Sequence, residues 1–375
     1  MSEASSGEGR GLRSTVTTEG EVVLSIEPFE VDPPVSDEVL IRIEASPINP
    51  SDLGVLLAGA DVTTATADDG SVRLKLSPGA QAAVQARVGK AMPVGNEGAG
   101  VVVAGGDSPL AQSLVGRTVA ALAGGMYGTH RTVKADQCLV LAEGTAPIDA
   151  ASCFVNPLTA LGMTETMRRE DHTGLVHTAA ASNLGQMLNR ICQADGIPLV
   201  NIVRRREHVD LLRAQGAEHV VDSSSASFVD DLTTALIETG ATIAFDAIGG
   251  GELASTILQS MEAAATANGG EYNRYGSTTH KQVYIYGGLD RGPTIVNRAF
   301  GMAWAIGGWL LPPFLAEIGP DRAEQLRQRV AHELTRTFAS SYTATISLDE
   351  VLDLDRLRAY ARMATGEKVL VTPQA

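Results

Sequence analysis

Cysteine is scarce in this chain. Only Cys138, Cys153 and Cys192 occur among 375 residues, and no two stand close enough to form a metal knuckle or a redox dithiol. A reducing compartment, the cytoplasm, is the expected location. Basic residues are also in deficit, with 29 Lys and Arg against 44 Asp and Glu and a formal net charge of -15. Such a surface repels nucleic-acid phosphates and anionic lipid, so neither polymer is an expected partner. Long hydrophobic runs are missing too. The longest apolar stretch, 299–315, is broken by Gly301, Gly307, Gly308, Pro312 and Pro313, and it falls short of the ~20 residues that span a bilayer. No membrane span is expected. The opening MSEASSGEGR lacks the basic start and apolar core of a secretory signal and reads as a ragged polar terminus.

The chain is too long for one core and suits two domains. The segment 38–44, EVLIRIE, alternates apolar and polar residues as a half-buried strand does, and it runs into the turn-rich SPINPSD. Short strands are predicted at 100–103, 118–122 and 133–141, separated by Gly, Pro and Asp clusters. That spacing predicts a mostly β, partly open barrel. Between them, 61–91 is rich in Ala, Thr and Gly and is expected to form an inserted loop or short helix.

After Thr159 the pattern changes to alternating strands and helices. Strands are predicted at 174–179, 199–203, 242–247 and 282–286, with GAEHVVD at 216–222 continuing the series. Helices are predicted at 184–195, from Glu207, and at 252–263. The class is α/β, with a doubly wound parallel sheet covered on both faces. A charged amphipathic helix at 321–336 and a strand at 368–373 are expected to return to the first domain.

The strand at 174–179 leads into Ala180, Ala181, Ser182, Asn183, Leu184 and Gly185. These small residues suit a backbone that turns tightly and lets a pyrophosphate approach the amides of a helix N-terminus. An ordinary strand-to-helix turn is the alternative. The next strand ends at Val203 and is followed by Arg204, Arg205 and Arg206, where an NAD site places a carboxylate for the ribose hydroxyls. Guanidinium groups pair with phosphate instead, so the cofactor indicated is NADPH, with Arg204 and then Arg205 as 2'-phosphate ligands. A solvated basic helix start is the competing reading. Two further strand ends, Ala247–Ile248–Gly249–Gly250 and Tyr286–Gly287–Gly288, lack bulky side chains and fit contact with the cofactor. Simple turns are the alternative for their glycines.

The motifs INPSD (48–52), VGNEGAG (94–100), VNPLTAL (155–161), NIVRRR (201–206), GAEHVVD (216–222) and YGG (286–288) together resemble the medium-chain dehydrogenase/reductase superfamily. Within it the chain is similar to quinone oxidoreductases and 2-enoyl thioester reductases. The resemblance implies a GroES-like, partly open β-barrel catalytic domain (1–152 and 319–375) and a Rossmann NADPH-binding domain (153–318). In the zinc-dependent members a Cys and a His-Glu pair hold the metal at positions that here read Asn49 and Asn96-Glu97. Neither asparagine is a normal zinc ligand, so no metal is expected. Without a Lewis acid, the expected acceptor is a quinone or α,β-unsaturated carbonyl, which spreads its own developing charge.

The resemblance further places Asn49 and Asp52 beside the nicotinamide, and Asn156 and Thr159 near the cofactor. Turn capping is the alternative for the first pair, and helix capping for Thr159. The enoyl reductases carry a tyrosine shortly after the Asn-Pro-Ser-Asp segment, whereas 53–61 contains none. Tyr127, in GGMYGTHRT, is the nearest replacement as proton donor, or else a rim tyrosine. Enoyl thioester reduction and NADPH binding without turnover are the rival readings. A homodimer is expected, with 299–315 at its interface or packed over the nicotinamide pocket.

Overall fold

Period-two burial builds the first part of the chain into antiparallel sheet. In the computed structural model, which describes residues 7–267 and 273–375, β1 (Gly7–Val16) pairs with β2 (Glu21–Val31). Leu12, Val16, Val22 and Leu24 point inward and are fully buried. The polar stretch Gly7–Arg10, expected to be ragged, is therefore strand. Its backbone pairs with Pro28–Val31, and ladder hydrogen bonds need no apolar side chains.

The first unit continues with β3 (Glu38–Pro47), β4 (Asp61–Asp68), β5 (Ser71–Lys75), β6 (Ala91–Pro93), β7 (Glu97–Gly105), β8 (Thr118–Leu122), β9 (His130–Lys134) and β10 (Leu139–Val140). The segment 61–91 holds a short helix, Pro78–Ala83, as expected, but it opens with strands rather than loop. β4 and β5 form a hairpin, and β5 adds to β2. Val72 and Leu74 alternate into the core opposite Leu24 and Val22, and each such burial is worth about 1.5–3 kcal/mol. The strand predicted at 133–141 is also corrected: a turn at Ala135–Gln137 divides β9 from β10.

The second unit, Asn156–Leu326, holds β11 (Leu175–His177), β12 (Leu199–Val203), β13 (His219–Asp222), β14 (Ile243–Asp246), β15 (Gly249–Gly251), β16 (Lys281–Ile285), β17 (Asp290–Thr294) and β18 (Trp304–Gly308). Six of them form a parallel sheet in the order β13-β12-β11-β14-β16-β18. This is a doubly wound α/β sheet. Val176, Val200, Ala244 and Val283 pack with the helices Phe228–Thr239 and Leu253–Ala267. Phe245, one residue on from Ala244, instead meets the edge of Trp309, as alternation across a strand requires. β15 and β17 form a separate two-stranded pair.

The rest of the chain rejoins the first unit, which comprises the residues up to Val155 together with Arg327–Ala375. The expected divisions at 152/153 and 318/319 compare with observed divisions at Val155/Asn156 and Leu326/Arg327, the latter inside the helix Pro320–His332. β20 (Val369–Thr372) pairs antiparallel with β3, and β19 (Ala344–Ser347) pairs parallel with β20. β3 is thus held by β7, β9 and β20. Among the described residues, no helix is long and apolar enough to cross a membrane.

Candidate functional site

In the first unit, the turn that follows β3 gathers charge in the interior. Asp52 opens the helix Asp52–Leu57 and is buried. Its carboxylate accepts the Asn49 N–H at 2.7 Å and the Asn96 N–H at 2.7 Å, which ties that turn to the loop before β7. The turn-closing reading and a polar site coincide in this residue. Burial pushes its carboxyl up to about 7, against the pull of those two backbone N–H groups.

Glu97, the first residue of β7, is also fully buried. One oxygen accepts the Asn49 side-chain N–H at 2.7 Å; the other accepts the N–H groups of Phe154 at 2.8 Å and Val155 at 3.0 Å. Burial raises its carboxyl too, opposed first by the attraction of Lys368. Spending the Asn49 nitrogen on Glu97 leaves the Asn49 Oδ1 buried and without a partner among the described residues.

Lys368 stands one residue before β20, and β20 pairs with β3 just before Asn49: the Ile48 N–H donates to the Val369 carbonyl at 2.9 Å. That pairing carries the lysine into the same cluster. Lys368 is 6% exposed, its Nζ has no hydrogen-bond partner among the described residues, and the Tyr342 ring centre lies 5.8 Å away. Burial pulls its ammonium down to about 8, while Glu97 and Asp52 hold it up. A buried ammonium with no partner is costly. Sequence reading missed Lys368, although a lone lysine heading the apolar VLV was the available signal.

Tyr127 is neither a rim residue nor an accessible one. It is 1% exposed, packed in the core with Leu12, Leu53 and Val94, and its hydroxyl donates to the Pro47 carbonyl at 3.0 Å. Burial first, and then the neighbouring Asp52, raise its ionisation far above the usual tyrosine range.

The second unit presents the strand ends. Ser182 caps the helix Asn183–Asp195, its hydroxyl accepting the Gly185 N–H at 3.1 Å. A side chain at Gly185 would meet the Ala180 carbonyl at 2.2 Å, so the helix start packs as closely on the Ala180–Ala181 turn as a phosphate-binding loop requires. Leu184 is buried beneath it. Arg204, Arg205 and Arg206 follow β12 and are exposed. Arg205 pairs with Glu207 at 3.0 Å and Arg206 with Asp210 at 3.2 Å, which leaves Arg204 without an ion pair among the described residues. Asn156 and Thr159 are buried in the first turns of the helix Val155–Arg169.

Asp246, at the end of β14, joins two strand-end loops. Its carboxylate accepts the Thr178 hydroxyl at 2.7 Å and the N–H groups of Ile248 at 2.9 Å and Gly249 at 3.1 Å. Thr178 in turn accepts the Ala247 N–H at 2.8 Å. Neither residue was singled out from sequence, where IAFDA reads only as a strand end. A side chain on Gly287 would meet the Ala247 carbonyl at 2.6 Å, so its close approach is to this neighbouring loop; Gly288 is open. Tyr286 hydrogen-bonds His177 at 2.7 Å, and burial brings that histidine to about 3, so it is neutral.

No family model matches the chain. The mitochondrial enoyl-[acyl-carrier-protein] reductase of Xenopus tropicalis is 32% identical over 217 residues, 53% of this chain and 52% of that protein. The match spans about half the length of such mitochondrial enoyl-[acyl-carrier-protein] reductases. Among solved structures, a candidate NADPH:quinone reductase from Mesorhizobium loti aligns over 98% of both chains with TM-score 0.72 and 25% identity. A mycobacterial protein solved with NADPH shares the fold at TM-score 0.65 and 17% identity, covering 97% of this chain and 100% of its own.

Proposed function

We propose, from the premise that the chain belongs to the medium-chain dehydrogenase/reductase superfamily, that it is a zinc-independent, NADPH-dependent reductase of quinones or α,β-unsaturated carbonyls. The observation that carries this reading is that Arg204, beyond β12, has no ion pair among the described residues, while the helix start after the neighbouring strand β11 admits only glycine at 185. NADPH, when bound, supplies a hydride. Ala181, Ser182, Asn183 and Leu184 would hold its pyrophosphate at the helix N-terminus, and Arg204, with Arg205 beside it, its 2'-phosphate. Ile248, Gly249, Tyr286, Gly287 and Gly288, with Asn156 and Thr159, would line its nicotinamide end. The Asp246 carboxylate holds two of those amides in place.

Zinc independence rests on the donor set. Asn49 and Asn96 offer amides where the zinc-dependent members of the superfamily offer Cys and His. Both oxygens of Glu97 already accept hydrogen bonds. Without a Lewis acid, the electron pair delivered with the hydride goes to an acceptor that delocalises it. The three free cysteines, of which Cys153 and Cys192 are buried, support a reducing cytoplasm. Among the described residues β18 ends the parallel sheet with its outer edge unpaired, which supports a homodimer; the mass in solution tests it.

The test is NADPH oxidation in EDTA over quinones, enones and crotonyl thioesters, with wild type and Arg204→Ala. Turnover of quinones or enones is expected. The variant should raise the KM for NADPH about 10- to 100-fold, the loss of a charge-assisted contact worth about 1.5–3 kcal/mol, and change that for NADH less than threefold. Preference for the thioester would transfer the reading to enoyl thioester reduction, the activity named for the Xenopus relative. NADPH binding with no oxidation across the panel would refute both.

A further inference from the structure

We propose that Arg13 and Arg131 form a binding site for a phosphate group, free or at the end of a small ester. The site belongs to the first unit alone and is independent of the reductase reading. Two strands supply it. Arg13 lies on β1 opposite Pro93 of β6, and Arg131 is the second residue of β9. The loop that enters β9 packs on β1, with the Leu12 N–H donating to the Tyr127 carbonyl at 2.8 Å and the Thr129 N–H to the Arg10 carbonyl at 2.9 Å.

Glycine makes the floor between the two side chains. A Cβ added at Gly11 would lie 3.6 Å from a terminal nitrogen of Arg13 and 3.6 Å from the Gly128 Cα. One at Gly128 would lie 3.5 Å from the Gly125 carbonyl oxygen, and one at Gly125 3.1 Å from Pro93 and 3.5 Å from a terminal nitrogen of Arg131. Both guanidinium tips therefore border one patch of bare backbone. The side chains are half-buried, so the patch is open to a ligand from water. Its turn is set before any anion arrives: Gly124 and Gly125 are left-handed at φ 67° and 70°. The Asn96 carbonyl accepts the N–H groups of Ala123 at 3.1 Å and Gly124 at 3.2 Å.

What the two cations lack is a counter-charge. Neither has an ion pair among the described residues. Arg13 stands 5.7 Å from the Phe29 ring centre. Arg131 donates to the Ala123 carbonyl at 3.2 Å, and its Nε is buried without a partner. Glu27, opposite Gly11 on β2, turns its carboxylate to the Ser25 hydroxyl at 2.8 Å. Burial, and then repulsion from Arg13, make Arg131 easier to deprotonate than an ordinary arginine. In a chain of net charge -15, two neighbouring guanidinium groups without an acid are costly until an anion joins them.

A carboxylate is filled by a single guanidinium fork. A phosphate monoester carries a charge of about -1.5 to -2 at neutral pH and three acceptor oxygens, which suits two cations held on separate strands. The Gly125 N–H, without a hydrogen bond among the described residues, is a further donor at the same turn, and the missing side chain lets an oxygen come close.

The test is calorimetric titration of the full chain at low ionic strength with inorganic phosphate and with phenyl phosphate. Arg204→Ala serves as the parent, so that the arginine beyond β12 does not contribute. One anion per chain should bind. Arg13→Gln and Arg131→Gln should each weaken it about 10- to 100-fold, the scale of losing a charge-assisted contact. Arg42→Gln, which removes an arginine already paired with Glu44 at 2.7 Å, should change it less than twofold. Phenyl phosphate binding at least threefold more tightly would assign the site to an ester whose organic part lies on Phe29; equal affinities would assign it to free phosphate. Absence of saturable binding up to about 10 mM of either anion, a free energy under about 3 kcal/mol, overturns the proposal. Equal losses in Arg13→Gln and Arg42→Gln overturn it too, since the attraction would then be that of any surface arginine. Arg131 also ties down Ala123, so should Arg131→Gln not fold, Arg13→Gln decides alone.

Discussion

Each unit buries a lysine near a glutamate, and the two are finished differently. In the second unit Lys281, 0% exposed, donates to Glu262 at 2.6 Å, to the Thr279 carbonyl at 2.8 Å and to Ser277 Oγ at 3.1 Å. Glu262 accepts the Ser277 N–H and hydroxyl as well. Every donor of that ammonium is used. Lys368 in the first unit has none of its donors used, and its carboxylate neighbours are bound to other groups. A saturated pair fixes a loop against a helix; an unsaturated one leaves buried donors unspent at the expense of stability. The same contrast separates Asp246, whose carboxylate is filled by Thr178, Ile248 and Gly249, from Asn49, whose Oδ1 is left over.

The comparison is most exposed to failure at Lys281. Lys281→Met leaves Glu262 without its cation, and breaking a buried pair costs about 3–5 kcal/mol. At 2–4 °C per kcal/mol for a domain of this size, the melting temperature should fall by roughly 6–20 °C. The KM for NADPH should not move, because Lys281 opens β16 at the end opposite Tyr286. Calorimetry with a cofactor titration checks both; a kinetic defect without a stability loss would dissolve the contrast.

A smaller effect is expected at Thr178. Thr178→Val leaves the Ala247 N–H unpaired and removes one donor from Asp246, a loss of about 1–3 kcal/mol. Because the loops after β11 and β14 are joined through this hydroxyl, the KM for NADPH should rise several-fold. Thr178→Ser should restore it, whereas equal behaviour of Ser and Val would mean that packing rather than the hydrogen bond matters. The least effect belongs to Tyr127. Tyr127→Phe removes the hydroxyl that donates to Pro47 and adjoins Asp52, at about 1 kcal/mol, and should leave kcat within twofold. A hundredfold loss there would return the proton to the tyrosine.

Most of the parallel sheet was legible from sequence, since buried strands such as 199–203 are apolar but for one residue, Asn201, and the helix after β11 begins at the capping Ser182. The N-terminal hairpin was not, because Gly7–Arg10 pairs through backbone alone. The 61–91 hairpin escaped for a related reason: its alternation at Val72 and Leu74 is too short to stand out from Ala, Thr and Gly. Beyond β12 the arginine cluster was visible, yet only the fold shows that Glu207 and Asp210 occupy Arg205 and Arg206. In the first unit, Asn49 and Asp52 were marked by a motif. Lys368 was not, because what joins it to residue 97 is the register of β20 on β3, a relation across most of the chain.

That same pairing sets a timetable for synthesis. The second unit is one uninterrupted segment and has all its strands once Leu326 has left the ribosome. The first lacks β19 and β20 until the second has emerged, so the Ser46–Pro47 end of β3, beyond its pairing with β9, waits for its partner. Segments fold as units in the order they become complete, and here the unit whose strands are made first is completed after the one inserted within it.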